Sequence, residues 1–218
     1  MGPPLTGLVV GDPPHVWAAA GFTVVDDAVR IGAVTVRCDP AAVDGGARAG
    51  GGILGWAFAD LAEAVDLADV ADPPAALDGL ALLDVVPVDD TTPHPNGVIR
   101  IDHVVVATPD QDRTEAALAA VGFDLRRTRP TTYGEQRFYR AGEVIIEVIG
   151  PATPDPAHAD RPARFFGLAM TTADLDGAAV LLGDALGRAK DAVQPGRRIA
   201  TLRHEAIGSS VPVAFMTP

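Results

Sequence analysis

Between Arg100 and Pro151 the sequence spells out one complete unit of strand, helix and three further strands, and the rest of the 218 residues read as shorter or altered copies of it. Ile99 to Ala107 is a compact β-branched run, which favours a strand because Val and Ile lose little rotamer freedom on a pleated surface. Thr108-Pro109 predicts a helix start, with Thr108 as cap, Pro109 where no N–H is needed, and Gln111 at the return position of a capping box. The helix is expected to run to Val121, with Ala116, Ala117, Leu118 and Ala120 inward, and to stop at Gly122. Strands over Phe123–Arg127, Gln136–Arg140 and Glu143–Ile149 follow, with turns at 130–134 and at Ala141-Gly142.

Strand alternation sorts the chemistry. Ile101, His103 and Val105 share one face of the first strand, and Glu143, Ile145 and Glu147 share one face of the last. A histidine and a glutamate on interior positions of neighbouring strands make half of a mononuclear site for Zn, Fe, Mn or Ni. The structural alternative makes His103 a hydrogen-bonded sheet residue and Glu147 an edge carboxylate.

The other copies are less complete. Residues 5–40 hold a strand at Leu5–Val10, a helix at Pro13–Ala20 and a strand at Ile31–Cys38, with Gly7 and Arg37 where His103 and Glu147 stand in the full unit. After a glycine-rich connection over 39–52, Ile53–Ala59, Leu61–Val70 and Leu80–Val88 predict strand, helix and strand. Residues 91–97, with two prolines and Asn-Gly, read as a linker in which His94 is expected to be solvated. After a proline-rich connection over 151–164, the fourth copy predicts a strand at Phe165–Thr171, a helix at Thr172–Leu186 closed by Gly187, and strands at Arg198–His204 and Val211–Met216. The predicted divisions are a degenerate domain over 1–92, a linker over 93–98 and a fuller domain over 99–218.

Charge and hydropathy bound the partners. Net charge is −12, and residues 1–98 carry three basic side chains against fourteen acidic ones. Such a chain is repelled by nucleic acid and by anionic membrane. No run approaches the ~20 apolar residues needed to cross a bilayer, the start lacks a signal-peptide pattern, and Cys38 is the single cysteine, so a cytoplasmic location is expected.

Four βαβββ-type units, the third opening Ile-Asp-His-Val-Val-Val and closing Val-Ile-Ile-Glu-Val-Ile-Gly-Pro, resemble the vicinal oxygen chelate superfamily of glyoxalases, extradiol dioxygenases and bleomycin-resistance proteins. The resemblance implies an α+β fold in which paired units curl curved mixed sheets into a cup, the N-terminal pair being abbreviated. It also implies a divalent metal on side chains from the first and last strands of both units, which places ligands at His103 and Glu147. The fourth unit offers Gly167 and Ala214 at the matching positions, so two of four ligands are missing.

That unit instead concentrates arginines on a turn and strand. Alternation puts Arg197, Ile199, Thr201 and Arg203 on one face, and Arg198, Ala200, Leu202 and His204 on the other. Arginine forks grip carboxylate or phosphate, which makes Arg198, Arg203 and His204 candidates for an anionic ligand, with Gln136 and Tyr139 as further polar lining. Three readings remain open. The cup binds a small molecule, as monomer or homodimer; it is a metal-dependent lyase, isomerase or dioxygenase with Glu147 moving a proton; or the units form a non-catalytic scaffold.

Overall fold

The computed structural model describes residues 2–41, 51–61, 75–132 and 134–218. The full unit begins with β7 (Val98–Ala107), continues through α2 (Gln111–Ala119) and returns as β8 (Arg127–Thr131), β9 (Gly134–Ala141) and β10 (Val144–Gly150). The fourth repeats the plan as β11 (Arg164–Thr172), α3 (Leu175–Leu182), β12 (Lys190–Asp191), β13 (Arg198–Thr201) and β14 (Val213–Met216). Both lie in one eight-stranded sheet of order β12-β13-β14-β11-β7-β10-β9-β8. In each unit the last strand returns parallel to the first, and the two first strands meet antiparallel at the centre.

Several local expectations are corrected. Asp110, not Thr108, caps α2, its carboxylate accepting from the N–H groups of Asp112 and Arg113, a cap generally worth about 1 kcal/mol. Gln111 does not reach back to the cap. Its amide donates to the carbonyls of Glu135 and Gly150, so the buried stripe of α2 is Gln111, Thr114 and Leu118, while Ala116 and Ala120 face solvent. The strand placed at Phe123–Arg127 lies four residues later and runs through Pro130. It is an edge strand, where a missing N–H costs no ladder bond. The strand expected over Arg198–His204 ends at Thr201, because His204–Ile207 turns into a 3-10 helix.

The N-terminal half follows the same plan in shorter form. It comprises β1 (Leu5–Val10), α1 (Pro14–Ala19), β2 (Ala28–Ile31), β3 (Val34–Cys38) and β4 (Ile53–Phe58), with sheet order β2-β3-β1-β4. A separate hairpin is formed by β5 (Ala76–Leu77) and β6 (Leu80–Ala81), and the chain beyond it touches β4 through a parallel bridge between Trp56 and Leu82. The strand expected over Leu80–Val88 is thus mostly irregular, and the helix expected over Leu61–Val70 lies almost wholly outside the described residues.

Gly7 pairs with Thr35 and Val9 with Arg37, as His103 pairs with Ile145 and Val105 with Glu147, so Gly7 and Arg37 do occupy the corresponding places. The face they share is filled by the chain itself. A Cβ on Gly7 would meet Val85 at 2.4 Å, and one on Gly55 would meet Leu83 at 2.5 Å.

One apolar core runs across both halves, joined by ring contacts between Trp56 and Phe165 (5.1 Å), Phe58 and Phe123 (5.2 Å), and Phe22 and Phe215 (6.2 Å). Asp12, fully buried, accepts from the hydroxyls of Ser209 and Ser210 and from the Ser210 N–H, tying β1 to the C-terminal segment. The expectation of a solvated His94 is also corrected. Its ring is buried against Phe22, its Nδ1 accepts from the Thr23 N–H, and its Nε2 lies 2.9 Å from the Arg30 carbonyl oxygen. Those fixed partners compensate the loss of water around the ring.

Candidate functional site

The concave face of the eight-stranded sheet encloses a cavity of about 840 Å3. Two rows of side chains cross its floor, set by strand register. In one, Arg127 on β8 stands opposite Phe138 on β9, then Glu147 on β10, Val105 on β7 and Gly167 on β11. In the next, Arg140 stands opposite Ile145, then His103, Ala169, Ala214 and Thr201. His103 and Glu147 are therefore brought together on adjacent strands and both line the cavity.

Asp102 and His103 are sequence neighbours and would ordinarily point to opposite faces. Pairing passes from His103–Ala169 directly to Ile101–Met170, so Asp102 is the extra residue of a β-bulge that turns it toward His103. Its Oδ2 lies 2.6 Å from His103 Nδ1, while Oδ1 accepts from Arg197 (3.1 Å) and Thr171 (3.2 Å). Burial works against the Asp102 carboxylate, but the hydrogen bond from His103 and the Arg197 guanidinium outweigh it and hold its pKa well below the usual carboxylate range. A carboxylate only accepts, so Nδ1 carries a proton toward Asp102, which leaves Nε2 as the ring nitrogen available to the cavity.

Glu147 sits at the centre of a second chain of polar contacts. Its Oε1 accepts from the Gln136 amide at 2.6 Å, and the Gln136 carbonyl oxygen accepts from Arg129 Nε at 2.7 Å. Arg129 also lies over the Phe138 ring, 5.8 Å from its centroid. Burial pushes the Glu147 pKa up, and the charges of His103 and Arg129 with the Gln136 hydrogen bond offset only part of that.

The remaining walls differ in character. Arg126, Arg127, Arg129 and Arg140 line one side, facing Glu147 as the single lining carboxylate among the described residues. The opposite side is apolar, made by Ile199, Val213 and Met216, and the turn carrying Val193 and Pro195 forms the rim.

The other sequence candidates differ in place. Tyr139 borders the cavity, but it is three positions from Gln136, so its ring lies on the opposite face of β9 and its hydroxyl is 3.3 Å from Glu115 on α2. Arg198 faces away from the cavity and pairs with Asp176 on α3 at 3.0 Å. Arg203 and His204 lie beyond the end of β13 and do not line the cavity. Sequence reasoning missed Asp102, Arg197 and the arginines of β8. Alternation had put Arg197 on the face of Ile199 and Thr201, but nothing local marks a bulge at Asp102.

No protein-family model matches the chain, and neither does any curated protein sequence. Solved structures do. A triple mutant of 4-hydroxymandelate synthase from Streptomyces coelicolor superposes with a TM-score of 0.64 at 15% identity, covering 100% of this chain and 93% of that one. A fusion of a xylose isomerase-like TIM barrel with 4-hydroxyphenylpyruvate dioxygenase gives 0.61 at 14% identity, over 100% of this chain and 49% of that one. The Mn(II)-bound glyoxalase from Novosphingobium aromaticivorans gives 0.57 at 13% identity, over 99% and 82%.

The chain has the vicinal oxygen chelate fold.

Within that fold the third and fourth units are related by a local two-fold that exchanges His103 with Gly167 and Glu147 with Ala214, since Val105 pairs with Gly167 as His103 does with Ala169. Neither Gly167 nor Ala214 offers a donor, and a Cβ on Gly167 would stand 2.5 Å from the backbone oxygen of Pro212. A metal would have His103 Nε2 and a carboxylate oxygen of Glu147. No cluster of three or more His, Cys, Asp or Glu suited to a metal occurs among the described residues. Catalytic zinc generally takes about three protein ligands, so this donor set does not fit a metal bound in the manner of the vicinal oxygen chelate fold. Among the described residues no helix is long and apolar enough to cross a membrane.

Proposed function

We propose that the C-terminal cup binds a small organic anion, with its charged group toward the arginine wall, its body on the apolar wall, and His103 and Glu147 meeting its middle. The observation that carries this is the polarity of the cavity: four arginines against one carboxylate among the described residues, in a chain whose net charge is −12. Clefts with one sign of charge focus potential and raise the local concentration of oppositely charged ligands. His103 turns Nε2 to the cavity and burial raises Glu147 above the ordinary carboxyl range, so it holds its proton to higher pH than an exposed carboxyl, and the pair suits proton exchange with a bound molecule.

The test is thermal unfolding with a panel of small carboxylates and phosphates, alongside Ala214→Trp, which fills the cup. A ligand at about 100 times its dissociation constant stabilises by about 2.7 kcal/mol, roughly 5–10 °C for a chain of this size. Ala214→Trp should abolish the shift. If no compound raises Tm, or if the shift survives the filled cup, the reading fails. Product formed from a stabilising compound and lost in Glu147→Gln would make the site catalytic; stabilisation alone would make it a binding protein.

A further inference from the structure

The two rows across the cavity floor fix more than a general preference for anions. Arg127 ends the row that contains Glu147, and Arg140 ends the row that contains His103, each two strands away from its polar partner. With neighbouring strands about 4.8 Å apart, each arginine backbone lies about 10 Å from the residue it accompanies. Arg127 and Arg140 are themselves diagonal neighbours across β8 and β9, about 7–8 Å apart at Cα, close enough for two guanidinium groups to close on one ligand group.

Their charges are not consumed elsewhere. Arg129 is committed to Gln136, and Arg126 lies 3.5 Å from Asp124. Arg140 donates to the backbone carbonyl of Glu143, which leaves its charge uncompensated, and no side-chain acceptor meets the Arg127 guanidinium among the described residues. Between the arginines and the His–Glu pair the floor is apolar, Phe138 in one row and Ile145 in the other. Past His103 and Glu147 it is nearly bare, since Gly167, Ala169 and Ala214 carry almost no side chain.

We infer that the cup takes an elongated phosphomonoester, its dianionic phosphate held between Arg127 and Arg140 and its organic body crossing Phe138 and Ile145, so that an atom about 10 Å from the phosphate meets His103 and Glu147. Two unpaired guanidinium groups match two negative charges, and a phosphate offers oxygens to both forks at once, which a single carboxylate does less well. The space over Gly167, Ala169 and Ala214 receives the far end of the molecule. This inference rests on the cup being a ligand site.

Isothermal titration of the full chain with hexyl phosphate, hexanoate and hexanol tests it. Hexyl phosphate should bind at least tenfold more tightly than hexanoate, and hexanoate more tightly than hexanol. Arg127→Gln and Arg140→Gln, both at exposed positions, should each weaken hexyl phosphate about tenfold while leaving hexanol unchanged. Ring resonances of His103 should shift on adding hexyl phosphate and stay put with inorganic phosphate, whose charge fills the arginine end without reaching the histidine. Equal affinity for phosphate and carboxylate, or indifference to both arginine substitutions, overturns the phosphate assignment while the cup remains a ligand site. If none of the three compounds binds, the assignment falls and the cup loses its standing as a site for such molecules.

Discussion

Asp102 and Glu147 show how neighbouring carboxyls acquire opposite behaviour from their surroundings. Asp102 has a depressed folded-state pKa, so it contributes stability that is present above its unfolded value near 3.8 and is lost as pH falls through the folded value. Replacing it by Ala strands the Arg197 guanidinium and the His103 Nδ1–H, and should cost about 3 kcal/mol at pH 7, read by urea unfolding. Glu147 has the reverse sign. Its folded-state pKa is raised, so the unfolded chain ionises first and stability drains away as pH rises from about 4.5 toward the folded value. Glu147→Gln keeps an acceptor for Gln136 and should therefore melt at a higher temperature than the parent at pH 8, with no difference at pH 3.5. Equal melting temperatures at pH 8 would show that Glu147 carries no desolvation penalty.

At the scale of elements, the approach of β14 to β11 explains why the fourth unit lacks its ligand. Gly167 faces the Pro212 carbonyl so closely that any side chain forces the strands apart. Gly167→Ala should destabilise by about 1–3 kcal/mol, the usual cost of overpacking, and Gly167→His should fail to create a metal site for the same reason. Metal titration followed by unfolding measures both; tight Mn or Zn binding in Gly167→His would show that β14 gives way.

The elements also show what was legible in advance. The β-branched runs of β7 and β10 and the stop at Gly122 follow from local preference, and their periods put His103 and Glu147 on matched faces. The register of β8 and the inner face of α2 did not follow, because Gln111 and Thr114 are held in their buried places by the Glu135 and Gly150 carbonyls and the Asp78 carboxylate, all distant in sequence. Likewise Tyr139 and Arg198 looked like ligand contacts by residue type, while pairing placed them against the helices α2 and α3.

In the whole molecule the two sheets share one core and the Asp12 clasp, so the chain leading into β7 separates the sheets without separating their packing. Thermal unfolding should be a single transition, and a fragment spanning 99–218 should not fold cooperatively, since Phe123, Phe165 and Phe215 would lose the rings of Phe58, Trp56 and Phe22. Two resolved calorimetric peaks, or a folded fragment by near-UV circular dichroism, would contradict this. The filled N-terminal face, closed by Leu83 and Val85, leaves the open cup to the C-terminal units.

The sequence by itself determined the repeated units, the positions of His103 and Glu147 within them, and the substitution of glycine, arginine or alanine where further donors would stand. These are properties of local period and residue type, which act over a few residues. Only the tertiary structure decided that Asp102 turns inward to hold His103, that Arg127 and Arg140 rather than Arg198 and Arg203 face the cavity, and that one cup is plugged while the other stays open. Each of those depends on which distant strands pair and in what register, and a single bulged residue is enough to change where a side chain points.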